Sequence, residues 1–134
     1  MGSMDGANLE LRTISIRVLW VEDDEHYREI VGEELSDHGF TVRSFADGAS
    51  LLGSLDAAND ADIIVLDWGL PNVSGIDLLP QLRQNGVTLP VVFLTNQAHP
   101  TYKELAFSRG AHDFLEKTDD MDVLVERLRL AAQR

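Results

Sequence analysis

Cysteine is missing from the 134 residues, which excludes disulfides and thiol chemistry and agrees with a cytoplasmic location. Long hydrophobic runs are missing too. The longest, around residues 63–66, suits a buried strand rather than a bilayer span, so no membrane association is expected. No signal peptide, internal repeat or low-complexity segment is visible. Basic residues are scarce, with 11 Lys and Arg against 23 Asp and Glu and a net charge of −12. Such a surface repels phosphate backbones, so direct nucleic-acid binding by this segment is not expected. The opening Met1-Gly2-Ser3-Met4 reads as a cloning remnant before a second start methionine. Residues 1–12 are therefore assigned to a tag remnant and disordered leader, and 13–134 to one domain with one core.

What the chain does contain is alternation. β-branched and apolar runs at residues 16–21, 40–45, 62–66, 90–94 and 111–116 read as buried parallel strands. Between them lie amphipathic stretches. The first carries Tyr27, Ile30, Val31 and Leu35 on one face and stops at Gly39. The second follows Asp47-Gly48 and carries Leu51, Leu52 and Leu55. The third, capped by Ser74, carries Ile76, Leu79 and Leu82, with Pro80 expected to kink it or make its start irregular. The fourth begins at Pro100 and carries Tyr102, Leu105 and Ala106; the last, from about residue 119, carries Met121, Leu124, Val125 and Leu128. Five strand–helix units with right-handed crossovers predict an α/β domain. It is a doubly wound, five-stranded parallel sheet with five helices in flavodoxin-like order 2-1-3-4-5. Its ligand site belongs at the carboxyl ends of the strands, between strands one and three.

The polar residues gather at that edge. Glu22 and Asp23 follow the first strand, Asp67 the third, Thr95 the fourth and Lys117 the fifth. Two carboxylates about 4 Å apart repel by roughly 4 kcal/mol at an effective dielectric near 20, so such a cluster recruits a cation. Oxygen-only ligands favour a hard ion such as Mg²⁺. Asp67 is then placed to act as a nucleophile, with Lys117 and the Thr95 hydroxyl positioned for phosphoryl oxygens. The four histidines show no ligand spacing. Trp20 is expected in the core, and Trp68 is expected to flank the site as an optical probe.

The runs Val-Glu22-Asp23-Asp24, Leu-Asp67-Trp-Gly-Leu-Pro71-Asn-Val-Ser-Gly75, Phe-Leu-Thr95 and Gly110-Ala-His-Asp-Phe114-Leu-Glu-Lys117 resemble the receiver domains of two-component response regulators. The resemblance spans residues 16–133 and makes 13–134 a receiver, or phosphoacceptor, domain. It implies that Asp67 is the phosphoacceptor, Asp23 a direct metal ligand, Glu22 a ligand through water, and the Gly69 carbonyl the remaining protein ligand. It further implies that Thr95 and Lys117 contact the phosphoryl group and that Phe114 is the switch aromatic. The donor would be a phosphohistidine of a sensor histidine kinase or phosphotransfer protein. The domain would catalyse only its own phosphorylation and dephosphorylation. A homodimer could form through the fourth helix, fifth strand and fifth helix.

Three departures from the family pattern stand out. Asn96 follows Thr95 where a small residue is usual. Gly69 offers no side chain beside Asp67 to position or exclude a hydrolytic water. Thr118 follows Lys117 where proline is common; a cis peptide before a non-proline residue costs about 3 kcal/mol, so a trans bond is expected, with Thr118 or Asp119 capping the last helix. The rival readings are a receiver-fold interaction module that does not use phosphorylation, a flavodoxin-like flavin binder and an aspartate-dependent phosphohydrolase. A flavin phosphate wants a hydroxyl- and glycine-rich loop where this chain has four acids. The hydrolase pairs Asp-x-Asp where this chain has Gly69.

Overall fold

The structure, a computed structural model, describes residues 15–96, 99–117 and 120–133. The strands are β1 (Arg17–Val21), β2 (Thr41–Phe45), β3 (Ile63–Leu66), β4 (Val91–Thr95) and β5 (Asp113–Glu116). They form one parallel sheet in the order β2-β1-β3-β4-β5. Among the described residues the helices are α1 (Glu25–Asp37), α2 (Gly48–Leu52), α3 (Asp56–Asn59), α4 (Gly75–Gln84), α5 (Pro100–Ser108) and α6 (Met121–Ala132).

Strand parity divides the core into two layers. Val18, Trp20, Ile63, Val65, Val92, Leu94 and Leu115 face Val31 and Leu35 of α1 and Leu124, Val125 and Leu128 of α6. Leu19, Val21, Ile64, Leu66, Val91, Phe93 and Phe114 face Leu51 of α2, Leu78, Leu79 and Leu82 of α4, and Ala106 of α5. Both faces of the sheet are covered, so β3 and β4 are buried at every position, and β4 is apolar up to the Thr95 that ends it.

Local chemistry sets the helix ends. At the end of α1, Gly39 takes φ +92°, while Phe40 N donates to Leu35 O and Gly39 N to Ser36 O. This pattern satisfies the last carbonyls and needs a residue tolerant of left-handed backbone. The single helix expected after Asp47 is instead two. Gly53, a poor helix former, caps α2, and α3 starts afresh at Asp56. Pro80 neither ends α4 nor delays its start. Its interior penalty of about 3 kcal/mol is outweighed by burial of Ile76, Leu78, Leu79 and Leu82, each contributing about 1.5–3 kcal/mol. Ile30, expected inward, is 41% exposed, because the covered line of α1 runs through Tyr27, Val31 and Leu35. The cap position of α6 is Asp120 rather than Thr118 or Asp119. Its carbonyl accepts from Val123 N and Leu124 N, and its side chain makes no cap bond. Met121, the first residue to pack on the core, sets that start. Residues 118 and 119, and with them the Lys117–Thr118 peptide, lie outside the described residues.

Candidate functional site

Sheet register brings the acidic residues level. Val21 of β1 is paired with Leu66 of β3, so Glu22 and Asp67 leave adjacent strands side by side. Asp67 N donates to Val21 O at 3.1 Å, which extends the ladder by one step and fixes the Asp67 backbone. Glu22 continues the parity of Val18 and Trp20, Asp67 that of Ile63 and Val65, and Lys117 that of Leu115. All three side chains therefore emerge on the α1/α6 side of the sheet.

Each residue of the acidic run has its own place. Glu22 is 1% exposed and Asp67 6%, whereas Asp23 is exposed. Asp24 is the N-cap of α1, its carboxylate accepting from Tyr27 N at 2.9 Å, and Glu25 is the first helical residue. Carboxylate oxygens of Glu22, Asp23 and Asp67 all lie within 4.8 Å of one another. Oxygen-only donors at that separation fit a hard divalent cation rather than a softer metal.

Lys117 enters the same cluster from β5. Its Nζ is 2.5 Å from Glu22 Oε1 and 3.4 Å from Asp67 Oδ1, and it lies 4.6 Å from the centre of the Tyr27 ring. Burial foremost, and then the Asp67 charge, push the Glu22 carboxyl up to about 7 against the opposing Lys117 hydrogen bond. Burial also works against the Lys117 charge, but the Glu22 hydrogen bond and the Asp67 charge outweigh it and hold the ammonium above its usual value. Two carboxylates face one ammonium, so Lys117 stays charged and Glu22 carries the penalty. Burial, with the charges of Glu22 and Asp67, pushes the Tyr27 hydroxyl to about 12, so Tyr27 is neutral.

The other parity carries Thr95 and Phe114. Thr95 is buried at the end of β4, in line with Phe93, and its carbonyl accepts from Lys117 N at 2.9 Å. Phe114 is buried with its ring centre 5.8 Å from Trp68 and 6.4 Å from Phe93. Trp68 flanks the site as expected, yet it is only 8% exposed, sandwiched among Phe93, Phe114 and Tyr102. Gly69 is exposed, with open space where a side chain would stand. The loop then turns through Pro71 and Asn72, the latter at φ +66°, and returns so that Gly75 N donates to Trp68 O at 2.9 Å. A Cβ at Gly75 would run into the Asp67 carbonyl and come within 2.9 Å of the Phe93 ring. That close approach leaves no room for a side chain at residue 75.

The profile described as response regulator receiver domain matches residues 18–129. The chain is a response regulator receiver domain. It is 33% identical over 123 residues to the transcriptional regulatory protein TcrA of Mycobacterium tuberculosis, covering 92% of this chain and 48% of that protein. It is 33% identical over 121 residues to the response regulator MprA of Mycobacterium ulcerans, covering 90% and 52%. The receiver domain thus spans about half the length of these curated relatives. Among solved structures it superposes on the receiver domain of the Francisella response regulator 1452 with a TM-score of 0.82 and 28% identity, covering 90% of this chain and 98% of that one. Vibrio cholerae chemotaxis protein CheY4 gives 0.80 and 27%, covering 87% and 98%.

Two residues of this receiver domain's site were not singled out from the sequence as parts of it. Tyr27 was read only as a helix-face residue, and Arg28 was passed over. Arg28 Nη1 donates to Glu22 O at 2.8 Å, while its own carbonyl accepts from Trp20 Nε1 at 3.1 Å, so it braces the end of β1. Their positions, one turn into a helix capped by Asp24, were the available signal. The division of labour within the acidic run predicts a contrast. Asp23→Ala should weaken Mg²⁺ binding by tenfold or more, whereas Asp24→Ala should leave it nearly unchanged and cost about 1 kcal/mol of stability through the lost cap. Fluorescence titration and denaturant melts of both variants check this; equal losses of Mg²⁺ affinity would show the roles to be misassigned.

Proposed function

We propose that this receiver domain accepts a phosphoryl group on Asp67 from the phosphohistidine of a sensor histidine kinase or phosphotransfer protein. The reaction depends on Mg²⁺, and the modified domain changes conformation to control an output partner or domain. The observation that carries this reading is the meeting of Glu22, Asp23 and Asp67 within 4.8 Å, with the Lys117 ammonium on two of them.

A carboxylate oxygen of Asp67 attacks phosphorus. The new P–O bond forms as the P–N bond breaks, and the imidazole leaves with its electron pair. When held by Asp23, Asp67, the Gly69 carbonyl and, through water, Glu22, Mg²⁺ supplies positive charge against the phosphoryl oxygens. Lys117, already charged, turns from the carboxylates to those oxygens. The Thr95 hydroxyl donates to another, and Phe114 repacks as Thr95 moves. The domain turns over no other substrate. We place it in the cytoplasm, with a homodimer forming through α5, β5 and α6; none of its described helices is long and apolar enough to cross a membrane.

The test is intact-mass measurement after incubation with acetyl phosphate. One added phosphoryl group is expected with Mg²⁺ and none with excess EDTA. An unshifted mass in Mg²⁺ would contradict the reading and favour an interaction module that does not use phosphorylation.

A further inference from the structure

We propose that Tyr27 is a positioning residue for the reaction, its ring face forming the third wall of a cage that aims the Lys117 ammonium at the phosphoryl site. The inference rests on the reading of Asp67 as acceptor and Lys117 as phosphoryl contact.

A lysine side chain has four rotatable bonds and a compact, strongly hydrated charge, so reaching a site does not by itself fix its aim. In this receiver domain the ammonium is bounded by Glu22 Oε1 at 2.5 Å, Asp67 Oδ1 at 3.4 Å and the Tyr27 ring centre at 4.6 Å. The Lys117 side chain is only 11% exposed, so the ring replaces water that would otherwise solvate that side of the cation. The ring is itself braced. Trp20, fully buried, meets it edge-on at 6.1 Å between ring centres, and the Asp24 cap holds the Tyr27 backbone N–H. The Trp20 contact involves neither carboxylate, whereas the Asp24 cap adjoins Glu22, whose Oε2 accepts from Asp24 N at 3.2 Å. The ring face therefore stays braced by Trp20 when Glu22 and Asp67 exchange the ammonium for other partners, at the moment when the lysine's aim matters. The hydroxyl of Tyr27 has no part in this; only the ring face does.

Tyr27→Phe keeps the ring and Tyr27→Leu removes it while retaining an apolar helix former. In the full chain at saturating Mg²⁺, Tyr27→Leu should be labelled by acetyl phosphate about 5- to 20-fold more slowly, the factor expected for losing a desolvated cation–π contact. Tyr27→Phe should be labelled within about twofold of the parent rate, and Mg²⁺ affinity should stay within about twofold in both. An NMR spectrum of the Lys117 side chain reads the cage without activity. Its ε-methylene protons should be shifted upfield by the ring in the parent and in Tyr27→Phe, and should lose that shift in Tyr27→Leu. Undiminished labelling of Tyr27→Leu, equal slowing of Tyr27→Phe, or absence of the ring shift in the parent would each overturn the proposal. If the parent itself is not labelled although the ring shift is present, the phosphoacceptor reading fails and the cage stands.

Discussion

Asp67→Asn should take up no phosphoryl group from acetyl phosphate under conditions that label the parent fully. Asparagine keeps the shape of the side chain and the backbone bond from residue 67 to Val21 O, but its neutral amide is not a competent nucleophile towards phosphorus. The neighbouring Glu22 and Asp23 do not substitute, because both leave the chain beyond β1 rather than β3. The fold should survive. Asp67 both attracts Lys117 and repels Glu22, which retains its own contact with Lys117 at 2.5 Å. These effects offset, so the unfolding free energy should change by about 1 kcal/mol or less. Intact mass and a denaturant melt on the same sample separate lost chemistry from lost structure. Full labelling of the variant would mean that another residue is the acceptor.

Gly75→Ala should have the largest effect on stability. The requirement at Gly75 is space rather than φ, since a Cβ there collides with the Asp67 carbonyl and crowds the Phe93 ring. The carbonyl belongs to Asp67, whose N–H is tied to Val21 O, and Phe93 is fully buried, so neither yields easily. Overpacking of this kind costs roughly 3 kcal/mol. Relief by backing the loop away would break the Gly75 N to Trp68 O bond and displace Asp67, so labelling should slow as well. A shifted urea midpoint with slowed labelling is expected; a variant as stable and as active as the parent would show that the loop has slack that the packing around Gly75 does not suggest.

Strand positions and their order were legible in the sequence because the sheet is covered on both faces. Uninterrupted apolar runs such as residues 63–66 then have few alternative readings. The site was legible for a related reason. A polar residue directly after such a run must lie at the carboxyl edge, and the parallel topology puts every carboxyl edge on one side. Helix boundaries were less legible. Gly53 splits one expected helix and Asp120 starts the last one late, both decided by capping and packing rather than by periodicity. Ile30 fits the helical stripe of α1 and still lies half exposed, because the stripe is wider than the surface available to cover it. Tyr27 and Arg28 escaped notice as site residues because their roles depend on reaching across to β1 and to Lys117, and sequence spacing within a helix carries no record of such a reach.

Borohydride trapping of the labelled chain, followed by peptide mass mapping, tests the central claim most directly, because an acyl phosphate is reduced to the corresponding alcohol at the residue that bore it. After labelling with acetyl phosphate and Mg²⁺, the expected result is reduction of Asp67 to homoserine and of no other carboxylate. Reduction at Glu22 or Asp23, or an unmodified Asp67 in a chain that carries phosphate, would contradict the assignment.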